Sequence, residues 1–282
     1  MLKAKHGFSF VVAAVSVLLL VACGDDDSDF ATRPSEGSSS SSVTQQSSDS
    51  ETSVSSSSSA KLSSSVTLAT PCKTETEDNC EYGELVDSRD GQTYKTVTIG
   101  TQTWMAQNLN YETANSYCYN DDANNCTKYG RLYTWAAAMD SVGTLSTNGK
   151  GCGFGTTCSP TYPVRGICPE GWHLPTKAEF ETLITAVGGQ LTAGKVFKST
   201  SGWRWNNSSV NGSDAFAFSA LPAGHRGGGG YYDGEDNGVD FWSSTEDDSD
   251  YAYSMYLYYI NDVAYLYNDY KYYGFSVRCL KD

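Results

Sequence analysis

The chain is poor in histidine, methionine, proline and positive charge. Three His, four Met and seven Pro occur in 282 residues, and 19 Lys plus Arg stand against 33 Asp plus Glu, a net charge of −14. So acidic a surface repels phosphate backbones and excludes a nucleic-acid partner. With His6 in the leader, His173 and His225 are the histidines left for a general base or a metal centre. No Gly-x-Ser-x-Gly nucleophile elbow occurs, and Gly227 to Gly230 lacks the Lys-Ser/Thr of a phosphate loop. Beyond the leader no apolar run is long enough to span a bilayer. What the chain does have is 27 Gly, 20 Tyr, 6 Trp and nine Cys. That composition suits long loops and short aromatic strands.

The N-terminus reads as an address. Lys3, Lys5 and His6 form a basic region, and Phe8 to Leu20 is apolar apart from Ser9 and Ser16. That length suits a signal peptide over residues 1–22 and is short for a membrane span. Leu20-Val21-Ala22-Cys23 resembles a bacterial lipobox, so the Cys23 thiol is expected to carry a diacylglycerol and its freed amine a further chain. Two acyl chains anchor stably where one is marginal. The predicted location is an outer membrane, lipid-anchored, at the cell surface. Gly24-Asp25-Asp26-Asp27 resembles the surface-export signal of some lipoproteins.

From Ser35 to Ser65, 18 of 31 residues are Ser. Burial there cannot offset the entropy of ordering. Residues 23–71 are therefore read as a lipidated Cys followed by a disordered tether, spanning roughly 40 Å as a flexible coil. The folded domain is placed at 72–282.

Without Cys23, eight cysteines remain, an even number in an exported chain. Spacing pairs Cys72 with Cys80, Cys118 with Cys126 and Cys152 with Cys158, and leaves Cys168 for Cys279. In the loop-entropy model each local bridge contributes about 2–3 kcal/mol and the long one about 5 kcal/mol. A zinc site is the rival reading, but its Cys pairs are closer and usually accompanied by His.

Strands are predicted within Leu85–Asn108, with turns at Asp90-Gly91 and Gly100-Thr101. Leu132 to Met139 reads as a short Ala-rich helix. A second helix follows Pro175. Thr176 and Glu179 form a capping box, Phe180, Leu183, Ile184 and Val187 share one face, and Gly188-Gly189 ends it. Ala193–Ser199 reads as a further short helix. Five strands are expected after it: Phe216–Leu221, Val239–Ser243, Tyr251–Tyr259, Val263–Tyr267 and Tyr273–Leu280. The fold class is α+β.

Six segments carry a family signal. Thr98 to Leu109 reads Thr-Ile-Gly-Thr-Gln-Thr-Trp-Met-Ala-Gln-Asn-Leu. Gly130 to Met139 reads Gly-Arg-Leu-Tyr-Thr-Trp-Ala-Ala-Ala-Met. Cys168 to Thr176 reads Cys-Pro-Glu-Gly-Trp-His-Leu-Pro-Thr. Phe218 to Gly224, Phe241 to Glu246 and Ser276 to Cys279 complete the set. In this order they strongly resemble the Fibrobacter succinogenes major paralogous domain, over about Leu85 to Asp282. The resemblance implies a C-type-lectin-like fold related to that of formylglycine-generating enzymes, whose helix start is similar to Leu174 to Phe180. It likens the Cys168–Cys279 bridge to the long lectin-fold disulfide. The oxidase chemistry of those enzymes uses a copper-binding cysteine pair near the C-terminus, whereas Cys279 is the one cysteine after Cys168. A non-catalytic domain without a cofactor is therefore expected.

Two binding readings follow. Asp233, Asp236 and Asp240 are candidate calcium ligands in an acidic stretch that also reads as a solvated loop; the Glu-Pro-Asn, Gln-Pro-Asp and Trp-Asn-Asp motifs of calcium-dependent lectins are missing. The second is an aromatic platform. Alternation in Tyr251–Ile260 puts Tyr251, Tyr253, Met255, Leu257 and Tyr259 on a buried face and Tyr256 and Tyr258 on the other. Tyr265 and Tyr267 lie across a hairpin turned at Asn261-Asp262. Trp203 and Trp205 share a face in an extended segment. Trp205, Tyr256, Tyr258, Tyr265 and Tyr267 are the candidate ligand-binding residues. On the habitat of the resembled family, their ligand is extracellular polysaccharide of the plant cell wall. A structural or protein-binding envelope component is the alternative, and a formylglycine-generating-enzyme-like oxidase is a more distant one. Arg278 is expected to pair with Glu246, and His173 to be structural.

Overall fold

A computed structural model describes residues 68–204 and 212–282. Cys23, the expected signal peptide and the expected Ser-rich tether as far as Thr67 lie outside the described residues, as does Trp205. The tether prediction runs a few residues too far. The Ala69 N–H donates to the Ala186 carbonyl at 2.8 Å, so the chain is docked before Cys72.

Thirteen strands and four helices follow one another: β1 (Tyr82–Val86), β2 (Thr93–Ile99), β3 (Gln102–Met105), β4 (Ser116–Tyr117), α1 (Ala123–Tyr129), β5 (Leu132–Thr134), α2 (Trp135–Ala138), β6 (Trp172–His173), α3 (Lys177–Ala186), α4 (Gln190–Phe197), β7 (Ala223–Arg226), β8 (Tyr232–Glu235), β9 (Gly238–Glu246), β10 (Tyr251–Tyr258), β11 (Ala264–Tyr270), β12 (Gly274–Phe275) and β13 (Leu280–Lys281). They build two sheets. One has the order β1-β2-β3-β13-β6, the other β11-β10-β9-β7-β12-β5-β4 with β8 paired to β7. All pairings between these strands are antiparallel except that of β7 with β9.

Two apolar clusters fill the interior. One gathers Trp104, the inner faces of α3 and α4, and Phe241, Met255 and Leu257 from the second sheet. The other gathers Tyr133, Trp135, Trp242, Phe275, Val277 and the Cys168–Cys279 bridge. Fully burying each such side chain contributes roughly 1.5–3 kcal/mol. All four predicted disulfides are present, with sequence separations of 8, 8, 6 and 111.

The turns at Gly91 and Gly100 and the α3 capping box appear as predicted. Thr176 Oγ1 accepts from the Glu179 N–H at 3.2 Å, and Glu179 Oε2 accepts from the Thr176 N–H at 2.7 Å. Phe180, Leu183, Ile184 and Val187 are buried. Other expectations are corrected. Leu132–Thr134 is strand, and the helix starts only at Trp135, where Thr134 Oγ1 caps the Ala137 N–H at 3.3 Å. Phe216–Leu221 is no strand: Ala217 and Ser219 have φ of 55° and 53°, and Asp214 takes the Ser219 N–H at 2.6 Å in place of a ladder partner. Tyr273–Leu280 is split into β12 and β13, each in a different sheet. Arg278 does not meet Glu246. Its Nε donates to Asn108 Oδ1 at 2.7 Å and its Nη2 to the Ser219 carbonyl at 3.0 Å, while Nη1 reaches the Phe218 carbonyl. Glu246 pairs instead with Lys271, whose side chain is fully buried and also donates to the carbonyls of Thr156 and Ser249.

Candidate functional site

The hairpin of β10 and β11 carries the predicted tyrosines. A two-residue side-chain period sets Ser254, Tyr256 and Tyr258 on one face of β10. The register places Tyr256 opposite Tyr265 and Ser254 opposite Tyr267, which joins Tyr265, Tyr267 and Asp269 to that face. On the other side of β10, Asp240 of β9 lies opposite Tyr256 and Gly238 opposite Tyr258. The tyrosines stack as a ladder. Ring centroids are 5.6 Å apart for Tyr256–Tyr258, 6.3 Å for Tyr256–Tyr265 and 5.1 Å for Tyr265–Tyr267. Gly238 has to be bare, because a Cβ there would lie 2.9 Å from Tyr256 Cε2.

The alternation predicted for Tyr251–Ile260 holds from Met255 to Tyr258 and fails before it, and Tyr259, expected on the buried face, is only half-buried. A bulge between Ala252 and Ser254 shifts the register. Ala252 and Ser254 are buried, whereas Tyr251 and Tyr253 are only half-buried. Tyr253 leans outward, donating to Asp247 at 2.8 Å. Trp203, which sequence pairs with Trp205 on one face, is buried, with its indole N–H donating to Ser199 Oγ at 3.1 Å.

Beside the ladder the sheet face hollows into a groove of about 360 Å³. Such a volume falls in the range of small-ligand sites, about 300–1,000 Å³. Tyr256, Tyr258 and Tyr267 line it from β10 and β11, and His225, Tyr273 and Phe275 from β7 and around β12; Asp240, Asp269, Asp233 and Asn237 complete the lining. No Lys or Arg lines it among the described residues. Burial raises the Asp240 carboxyl well above the usual carboxylate range, and the neighbouring Asp269 adds to the shift. Asp269 is raised by burial as well, although its hydrogen bond from Ser254 Oγ at 3.0 Å works the other way. Burial lowers His225 and favours its neutral ring. Burial also pushes the Tyr256 phenol up, so its hydroxyl keeps its proton and can donate.

Sequence reasoning missed the far end of this groove. Tyr273 joins it to a shelf of Tyr231, Tyr272, Gly228 and Gly229. Phe154 packs edge-on against Tyr272 at 4.8 Å, and Tyr270 stacks on Tyr272 at 4.9 Å. Phe154 and Tyr231 are half exposed or more. The signal for the shelf lies in Tyr270, Tyr272 and Tyr273, which continue the tyrosine-rich run of β11.

The three calcium candidates do not come together: Asp233 and Asp240 line the groove, and Asp236 does not. Asp233 accepts from the Gly234 N–H at 2.7 Å, Asp236 from the Tyr129 hydroxyl at 3.4 Å, and Asp240 sits inside the groove. Among the described residues no group of three or more His, Cys, Asp or Glu is placed to hold a metal ion. The neighbouring acidic residues are engaged in the fold. Glu246 accepts from the Cys158 N–H at 3.0 Å, and Asp248 from the N–H groups of Asp250 and Tyr251 at 2.8 Å. His173 bridges two carboxylates, with Nε2 3.0 Å from Glu179 and Nδ1 2.7 Å from Asp282. Burial opposes its protonation, but these two hydrogen bonds outweigh it and its pKa is raised. The eight cysteines from Cys72 to Cys279 are all in disulfides. Among the described residues no helix is long and apolar enough to cross a membrane.

A search of curated proteins and of solved structures finds no significant match to the chain. Residues 97–281 match the Fibrobacter succinogenes major domain. That span takes in β3, most of both core clusters, the groove and three of the four disulfides, and the chain belongs to the Fibrobacter succinogenes major domain family.

Proposed function

We propose that the protein is a lipid-anchored protein of the outer cell surface whose C-type-lectin-like domain binds carbohydrate without catalysing a reaction. Cys23 holds the membrane, residues 24–67 act as a tether, and the tyrosine-walled groove captures extracellular polysaccharide of the plant cell wall. The observation that carries this reading is the ladder of Tyr256, Tyr258, Tyr265 and Tyr267 beside a groove with polar groups along its length. Sugar rings offer apolar C–H faces to aromatic rings and hydroxyls to the polar groups between them. Tyr267 is 50 % exposed, so the ladder is open to a partner in solution.

The test is retention of the full chain, in detergent, on insoluble polysaccharides and a glycan array. Retention is expected on at least one β-linked plant glycan. Replacing Tyr256 and Tyr258 by Ala is expected to weaken it by about tenfold or more, the loss of two contacts of about 1 kcal/mol each. No retention on any glycan, with calcium supplied, contradicts the proposal.

A further inference from the structure

Two acceptors in the groove are left without partners. Asp240 is 7 % exposed, lines the cavity, and its carboxyl makes no hydrogen bond among the described residues. Asn237 Oδ1 is buried in the same lining and likewise unpartnered. A buried acceptor without a donor costs about 1–3 kcal/mol, and Asn237 Oδ1 is in that position; the Asp240 carboxyl, with no protein partner, borders the groove and is open to a donor that enters it. The lining supplies three carboxyl groups and no cationic side chain, and the electron-rich faces of four tyrosines surround them. The missing piece is a group with several N–H donors and positive charge. A primary ammonium has three donors and no acceptor. It also gains from tyrosine faces, which attract cations and repel anions. A sugar hydroxyl supplies one donor and no positive charge.

We propose that the groove takes a primary ammonium carried on a sugar ring, with the nitrogen seated between Asp240 and Asn237. This rests on the carbohydrate reading and narrows it to a class, glycans with free amino groups. The groups that face Asp240 are Asp269 from β11, Tyr256 from β10, His225 from β7, Asp233 from β8 and Tyr273 ahead of β12. Asp269 is occupied by Ser254, and His225 is neutral, so the unpaired carboxyl of Asp240 is the one to meet the ligand. Burial raises the pKa of that carboxyl, so just above the ordinary carboxylate range it keeps its proton in the empty groove. When the ammonium enters, the carboxyl O–H bond breaks and the proton passes to solvent. The carboxylate then pairs with the ammonium, and the charge inside the groove is unchanged. Binding of the amine therefore releases a proton, and binding of a neutral sugar does not.

Titration calorimetry on the full chain in detergent, at mildly acid pH just above the ordinary carboxylate range, where the sugar amine is an ammonium, tests this with three tetramers: β-1,4-linked glucosamine, its N-acetylated counterpart and the corresponding glucose oligomer. The glucosamine tetramer is expected to bind tighter than both others by at least about tenfold, the scale of one good charge contact. Its measured enthalpy is expected to change with the ionisation enthalpy of the buffer, as proton release requires. Asp240→Asn keeps the shape and removes the charge, and is expected to abolish the preference. Should that variant fail to fold, the buffer series on the unaltered protein decides. Equal or tighter binding of the N-acetylated or glucose tetramer overturns the ammonium proposal and leaves the carbohydrate reading standing. Tight glucosamine binding without proton release, or a preference that survives Asp240→Asn, also overturns it. Binding of none of the three overturns it, and the polysaccharide screen then judges the carbohydrate reading separately.

Discussion

Arg278 and Asp240 are two buried ionisable side chains handled in opposite ways. Arg278 is 1 % exposed and has no carboxylate in hydrogen-bond contact. Burial lowers its pKa to about 9, which still leaves it charged at neutral pH. Its fork is spent on Asn108 Oδ1 and on the carbonyls of Met105, Phe218 and Ser219, and so ties a segment with no ladder of its own to the core. Arg278→Leu is expected to destabilise the domain by at least about 3 kcal/mol, since several buried acceptors lose their donor at ~1–3 kcal/mol each; urea unfolding measures it. Asp240 has no such partners. Its folded pKa lies above the unfolded value, so the folded state holds a proton that the unfolded state has released. The stability this contributes is present below the ordinary carboxylate range and is lost as pH rises through the raised value. Asp269 acts with the same sign. Asp240→Asn is accordingly expected to show a Tm that gains on the parent protein as pH is raised from acid to alkaline. A difference that runs the other way contradicts the assignment of a protonated floor.

At the scale of elements, α3 is where local chemistry and structure agree most closely. Thr176→Ala removes one half of the capping box and is expected to cost about 1 kcal/mol, read as a lowered urea midpoint with an unchanged slope. The helix was legible because its cap, its apolar spacing and its glycine stop all lie within 14 residues, from Thr176 to Gly189. The strands around the Asp90-Gly91 and Gly100-Thr101 turns and the hairpin at Asn261-Asp262 were legible for the same local reason. Phe216–Leu221 was not. Its alternation suits a strand, but Asp214 and Arg278 supply the hydrogen bonds a neighbouring strand would have supplied, and they lie 5 and 59 residues from Ser219. Tyr251 and Tyr253 were misplaced because a bulge is a property of the pairing with β9 and leaves no mark in the composition of β10. The ladder of Tyr256, Tyr258, Tyr265 and Tyr267 could be read from alternation across one turn. The groove beside it could not, since His225, Asp240 and Tyr273 come from three further strands or their flanks and meet only when the second sheet is assembled.

For the molecule as a whole, the disulfides set the frame. Three bridges close short local loops, and Cys168–Cys279 closes one of 111 residues that contains α3, α4 and every strand lining the groove. In the loop-entropy model its removal costs about 5 kcal/mol, so Cys168→Ala with Cys279→Ala is expected to lower Tm more than the loss of any local bridge. Thermal unfolding of the four double variants checks that order. The pairing was legible from spacing because three short separations leave one pair over. The groove's floor was not: Asp240 was read as a calcium ligand or a solvated residue, and becomes a buried, unpartnered acid only through its position opposite Tyr256 in the sheet. The claim on which the functional account turns is that the tyrosine ladder is the carbohydrate-binding face. Retention of the full chain on insoluble plant polysaccharide, with and without Tyr256→Ala and Tyr258→Ala, measures it most directly. The account predicts retention by the parent protein and its loss in a double variant that keeps its fold; a double variant retained as well as its parent, or a parent that no polysaccharide retains, contradicts it.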